Sequence, residues 1–114
     1  MKDYLVTIFG GGGFVGRQVA QVLLARGARV RIAQRDPATA LRVKPLGGLG
    51  QVQFIAADIR NPASVARAVA GSDIVINLVG ILKGDFDAFQ HRGAANVAKA
   101  AADAGVSALV HMSA

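Results

Sequence analysis

The chain has 114 residues, no cysteine, 53% hydrophobic residues and a mean hydropathy of +0.41, which bounds it to one well-buried domain and excludes disulfides and thiolate metal sites. Its net charge of +6 comes from 13 Lys and Arg against 7 Asp, with no Glu. There is no basic run of five to eight residues and the aromatics are scattered, so the balance reads as a solvated surface or an anion-binding cleft and argues against nucleic acid. No apolar run approaches the roughly 18 residues of a membrane span and no signal peptide precedes the first strand, so a cytoplasmic, not membrane-spanning location is expected. The isolated His91 and His111 do not make a zinc site.

Residues 3–9 read as a first strand, almost continuously apolar after Tyr4, as a parallel strand covered on both faces must be. The spacing of Val15, Val19, Val22 and Leu23 predicts an amphipathic helix over residues 14–26 with those four on its buried stripe, closed by Gly27. Residues 29–35 form a second strand, with Val30, Ile32 and Gln34 on one face. Asp36-Pro37 breaks it and opens a short helix to about Val43. The Pro/Gly-rich residues 44–51 form a loop, and residues 52–57 a third strand. Asn61-Pro62 supplies an N-cap and a proline at the first helical position of a helix that runs to about Ala70 and stops at Gly71. Residues 73–79 are the fourth strand, residues 86–104 an alanine-rich helix with a cap at Gly105, and residues 106–112 the fifth strand. Strands alternate with helices throughout and the crossovers are short. The expected fold is a single α/β domain over residues 1–114, a Rossmann-like doubly wound parallel sheet of order 3-2-1-4-5 with right-handed crossovers. Such folds ordinarily continue past strand five, so the chain reads as truncated there.

The chemistry concentrates at the first turn. Four glycines, Gly10 to Gly13, join the first strand to the first helix, and Gly16 lies one turn inside. A strand–turn–helix junction gathers backbone N–H groups and a helix N-terminus at one point, where a phosphate is stabilised. Glycine supplies the φ values of the turn, and a Cβ there would hold the phosphates away. The spacing fits G-x-G-x-x-G (Gly11, Gly13, Gly16) and equally G-x-x-G-x-x-G (Gly10, Gly13, Gly16). Because the motif follows a strand and opens a helix, it predicts a dinucleotide ligand.

Together with that start, Asp58-Ile59 after strand three, Asn77-Leu78-Val79-Gly80 at the end of strand four and Val110-His111-Met112-Ser113 in strand five resemble the extended and atypical short-chain dehydrogenases/reductases. Residues 41–54 and 74–80 are most similar to the branch that contains the NAD(P)H-binding accessory subunit of respiratory complex I and its bacterial relatives. The resemblance spans the whole chain but only the N-terminal part of the family's proteins. It lays Gly10, Gly13 and Gly16 on the family's TGxxGxxG, with Phe9 in place of the Thr, and puts Phe14 and Val15 where helix amides approach the pyrophosphate. It implies that the Asp58 carboxylate accepts from the adenine amino group beside the Ile59 backbone; the residue also reads as a turn or cap before Asn61-Pro62. Asn77, Leu78, Val79 and Gly80 would pass under the adenosine and ribose. Arg17 reads as a helix-surface charge near the phosphates, and Arg60 has the weaker claim of the two.

Where NAD-preferring members carry an acidic residue at the end of strand two, this chain has Gln34 followed by Arg35. A neutral amide and a guanidinium suit a 2′-phosphate better than a bare diol, so NADP(H) is expected over NAD(H). Asp36 is the counter-candidate. The family's catalytic groups are a Ser or Thr at the end of strand five and a downstream Tyr-x-x-x-Lys. Tyr4 is the chain's one tyrosine and reads as a surface residue, Ser113 as a residue lining the nicotinamide site, and His111 as a packed histidine. No catalytic residue is therefore assigned. The expectation is an NADP(H)-binding domain, structural or sensing, with a respiratory-complex or other protein partner and a place peripheral to the inner membrane through that partner. Its rival is the N-terminal half of an NAD(P)-dependent epimerase/dehydratase or reductase whose Tyr-x-x-x-Lys lies beyond residue 114. A non-nucleotide interaction domain on the same fold is disfavoured by the Gly10–Gly16 turn.

Overall fold

A computed structural model describes residues 4–10, 14–34, 51–78 and 87–111. Along the chain these form β1 (Leu5–Phe9), α1 (Phe14–Ala25), β2 (Arg29–Gln34), β3 (Val52–Ala56), α2 (Pro62–Val69), β4 (Ile74–Asn77), α3 (Asp87–Ala104) and β5 (Ala108–His111). The five strands make one parallel sheet of order β3-β2-β1-β4-β5, the expected doubly wound order. The expected short helix after Pro37 and most of the loop at 44–51 lie outside the described residues.

The central strand explains the rest. All five residues of β1 are buried, because β2 and β4 occupy its two edges and helices cover its two faces. Val6 and Ile8 face the cluster built with Ala20, Leu23 and Leu24 of α1 and Val30 and Ile32 of β2. Phe9 faces the other, with Val65 and Val69 of α2, Val75 of β4 and Val97 and Ala101 of α3. The molecule is therefore three layers, α1 on one side of the sheet and the packed pair α2 and α3 on the other.

In α1 the structure corrects the predicted stripe. Val22 is 56% exposed, whereas Gly16, Ala20, Leu23 and Leu24 are buried. Positions 16, 20, 23 and 24 repeat with the same i, i+4, i+7, i+8 spacing, displaced by one residue from the set read off the sequence. The choice goes to small residues at two of the four positions, which lets the helix lie close to the sheet. The end of α1 was readable: Gly27 has φ 87°, its N–H donates to Leu24 O at 3.0 Å and the next N–H, of Ala28, donates to Leu23 O at 3.1 Å. This is the Schellman arrangement, which a left-handed glycine permits and which satisfies two otherwise orphan carbonyls.

Two polar side chains of the sheet bond to the end of α2. The buried Thr7 hydroxyl bonds with Ser72 Oγ and donates to Ala68 O at 3.3 Å. Arg31, beside Thr7 in the sheet register, donates through Nη1 to Ala68 O at 2.7 Å and Ala70 O at 2.8 Å. Burial, and secondarily the neighbouring Arg29, lower the Arg31 pKa from its ordinary value, yet the guanidinium stays protonated and caps the negative end of α2. Replacing Arg31 with Met keeps the apolar stem and leaves both carbonyls without this donor. We expect stability to fall by about 1–2 kcal/mol, and the midpoint of thermal unfolding by roughly 5–10 °C, read by circular dichroism. An unchanged midpoint would show that the two carbonyls find water at no cost.

Candidate functional site

In an order of 3-2-1-4-5 the chain moves outward in one direction through β2 and β3, then returns to the other side of β1 with β4. The two directions part between β1 and β4, and at the carboxyl ends of the strands a doubly wound sheet opens its ligand crevice there. Around it the structure brings together Gly10, Asn77 and Leu78, the start of α1 at Phe14 and Val15, and, further along the same edge, the backbone of Gln34 and the turn at Asp58 and Ile59. Gly13, Arg35, Val79, Gly80 and Ser113 lie outside the described residues. Tyr4 is 46% exposed just ahead of β1, at the sheet's amino end, far from this edge.

The turn out of β1 begins at Gly10, whose φ of 80° lies in the left-handed region that L residues avoid by about 1–2 kcal/mol. Its N–H donates to Ala33 O of β2 at 3.0 Å, while on the other side Leu78 N donates to Phe9 O at 2.9 Å. The last residues of β1 are thus held from both edges just before the chain swings to α1. Phe9, which stands where the family has Thr, is fully buried in the core beneath the turn. Asn77 pairs in register with Phe9 and is also buried. Gly16 is buried on the face α1 turns to the sheet, and Arg17 beside it is exposed.

At the end of β3 the polar residues interlock. Asn61 caps α2, its Oδ1 accepting from Ala63 N at 3.0 Å and Ser64 N at 3.3 Å. Ser64 Oγ in turn accepts from Asp58 N at 3.1 Å and lies 3.0 Å from both Asp58 O and Asn61 O, either of which its hydroxyl can reach. The Asp58 carboxylate accepts from Arg60 N at 2.9 Å, forming a turn, and pairs with the Arg60 guanidinium at 2.7–3.2 Å. The side-chain hydrogen bond to Asp58, more than the bare attraction of the charges, raises the Arg60 pKa. The turn reading of Asp58 is what the geometry shows. The residue also lines an open depression of about 280 Å³ together with Ala56, Ala57, Asn61 and Ser64. Ile59 is buried, and its carbonyl accepts from Asn96 Nδ2 of α3 at 2.8 Å.

The sequence reading found Asn61 through the Asn-Pro pair and missed Ser64, Asn96 and Arg31. For Ser64 a signal existed, since a hydroxyl residue in a helix's first turn reaches nearby backbone groups, here the Asp58 N–H. For Asn96 and Arg31 none did, because their partners are separated from them by 37 residues and more.

The NAD(P)H-binding family matches residues 10–114. The chain belongs to that family. Its relatives include the 40 kDa subunit of NADH-ubiquinone oxidoreductase of Neurospora crassa, 33% identical over 99% of this chain and 31% of that protein. The mouse NADH dehydrogenase [ubiquinone] 1 alpha subcomplex subunit 9 is 36% identical over 99% of this chain and 31% of its own length. Cinnamoyl-CoA reductase 1 of rice is 35% identical over 98% of this chain and 35% of that enzyme. The chain thus spans about a third of the length of these curated relatives. Among solved structures, Pen from Bacillus thuringiensis superposes with a TM-score of 0.81 at 24% identity, covering 96% of this chain and 37% of that one. A mutated uronate dehydrogenase gives 0.73 at 22%, covering 95% and 38%; at these identities both likenesses speak for the fold. The resemblance to the short-chain dehydrogenases/reductases and to the complex I branch is borne out. Among the described residues no helix is long and apolar enough to cross a membrane, and no cluster of His, Cys, Asp or Glu suits a metal ion.

Gly10→Ala is expected to lower stability by about 1–2 kcal/mol in a urea titration, because a Cβ at φ 80° is strained wherever it points. Arg60→Ala, by contrast, removes an exposed ion pair and should leave the same titration nearly unchanged. A large effect of Arg60→Ala would mean that the pair, and not the backbone, holds the turn.

Proposed function

We propose that the chain binds a nicotinamide dinucleotide at the carboxyl edge of its sheet, with NADP(H) preferred over NAD(H). The pyrophosphate lies over Gly10, Gly13 and Gly16 against the amides of Phe14 and Val15. The adenine rests against Asp58 and Ile59, and the adenosine and ribose cross the Asn77–Gly80 segment. Ser113 lines the nicotinamide end. The observation that carries this reading is the turn at the topological switch: a left-handed Gly10 and the start of α1, immediately beside the point where the sheet order reverses. The residues present fit the group, since backbone N–H groups and a helix N-terminus need no cation to receive a pyrophosphate.

The relatives named as NADH dehydrogenase subunits support a role in which the nucleotide serves structure or sensing and the chain works with a protein partner of a respiratory complex, peripheral to the membrane through that partner. The similarity to cinnamoyl-CoA reductase 1 supports a second reading, the nucleotide-binding part of a reductase whose Tyr-x-x-x-Lys lies beyond residue 114. Stoichiometric NADPH binding with no turnover by the full-length protein favours the first, and a Tyr-x-x-x-Lys whose Tyr→Phe change abolishes hydride transfer favours the second.

Cofactor choice follows from charge. A 2′-phosphate brings about −2 to the end of β2, where Arg35 offers a planar fork and Gln34 adds no repulsion. A charge-assisted bond of this kind is worth roughly 1.5–3 kcal/mol, or about ten- to a hundred-fold in affinity. NADPH should therefore bind at least about tenfold more tightly than NADH at low salt, with the gap narrowing as salt is added. Arg35→Ala should remove most of the preference and spare NADH, and Gly13→Val should abolish binding of both. Fluorescence titration of the two cofactors decides it: equal affinities in the parent, or an NADH preference lost on Asp36→Ala, would sink the NADP(H) assignment.

A further inference from the structure

We propose that Asn96 of α3 is the positioning residue for Asp58, and through it sets the selectivity of the site for an adenine base. The inference rests on the reading above, in which the Asp58 carboxylate accepts from the base's amino group. It is carried by one peptide unit. The carbonyl of Ile59 accepts from Asn96 Nδ2 at 2.8 Å, and the N–H of Arg60, the other half of the same amide, donates to Asp58 Oδ1 at 2.9 Å. A trans peptide is planar, with its C=O and N–H directed oppositely, so a donor that fixes the carbonyl fixes the direction of the N–H. The chain Asn96 amide to peptide to carboxylate also polarises along its length, each bond strengthening the next.

The alternative organiser of Asp58 is the Arg60 guanidinium. That pair is exposed, with side-chain exposures of 50% and 31%, and exposed pairs hold geometry weakly. Asn96 differs in being anchored. Its neighbour Val97, with Ala100 and Ala101 one turn on, is buried in the same cluster as Ile59 and Ala57. The donor therefore stands on a rigid part of α3 and reaches the turn from a fixed point. An asparagine inside an alanine-rich helix is a poor helix former; here its side chain is engaged with the turn. The residue thus ties α3, the helix that follows the β4 segment, to the turn that meets the base.

The test is base selectivity. Nicotinamide hypoxanthine dinucleotide presents a carbonyl where adenine presents its amino group, so an ionised, correctly aimed Asp58 should disfavour it. Reduced forms of the adenine and hypoxanthine dinucleotides are titrated against the parent, Asn96→Ala and Asn96→Asp. Alanine suits the helix, and aspartate keeps the shape while removing the donor. The parent should prefer adenine, and both variants should lose about three- to ten-fold of that preference while remaining folded by circular dichroism. Rescue of the preference in Asn96→Gln, which restores an amide donor, is the further expected result. A preference that survives in both folded variants overturns the proposal and leaves the site reading intact. A parent that binds the two dinucleotides equally overturns the Asp58 reading and this proposal with it.

Discussion

Everything in this domain is arranged around a strand with no free side. β1 has a neighbour on each edge and a helical layer on each face, so each of its residues must be apolar or have its polar group paired within the protein. Four residues meet the first condition and Thr7 meets the second, through Ser72 and the Ala68 carbonyl. The same crowding decides where a ligand can go. With both faces and both edges taken, the strand meets the outside only at its ends. The amino end is closed by Asp73, whose carboxylate accepts from Leu5 N at 2.9 Å and whose own N–H donates to Leu5 O at 2.8 Å. The carboxyl end gives on to Gly10 instead, which carries no side chain of its own.

The second organised region, the turn after β3, works by a different balance. Its charged pair is the most conspicuous contact and the weakest support, since solvent screens Asp58 and Arg60 alike. The order comes from neutral hydrogen bonds: the Asn61 cap, the Ser64 hydroxyl joined to Asp58, and the Asn96 amide on the Ile59 carbonyl. Each is modest, on the order of 1 kcal/mol. Together they tie β3, α2 and α3 into one unit around a carboxylate that remains at the surface. A carboxylate that accepts from the Arg60 N–H keeps its direction whether or not the guanidinium swings away.

The order of elements and the strand order were legible in the sequence because they depend on local pattern. Apolar strands, the Asn61-Pro62 start and the terminal glycines at 27 and 105 each act within a few residues. The face of α1 was less so. A spacing of i, i+4, i+7, i+8 is satisfied by two adjacent sets of residues, and hydrophobicity favours the set with Val22 while packing against the sheet selects the set with Gly16 and Ala20. The glycine turn was legible as a strand-to-helix junction, because Gly10 takes the left-handed conformation that such a turn needs. The roles of Arg31 and Asn96 were not, because each side chain serves carbonyls that only the tertiary fold brings near.

Charge illustrates the same distinction. A net charge of +6 invites the idea of a cationic surface that captures anions wholesale. Arg31, however, is engaged with the carboxyl end of α2, and Arg60 lies against Asp58. Neither cation sits over the start of α1, where the family places its pyrophosphate. A strand–turn–helix junction offers an anion the partial charge of aligned amides, and Arg17 is exposed on the first turn of α1 beside it. A cradle of that kind is specific for a group that fits against glycine backbone, and it draws little from the bulk electrostatics of the protein. Side-chain cations enter recognition only where a ligand carries a charge beyond the backbone's reach. In the proposed reading that place is the end of β2, which makes discrimination between dinucleotides and binding of any dinucleotide separately testable.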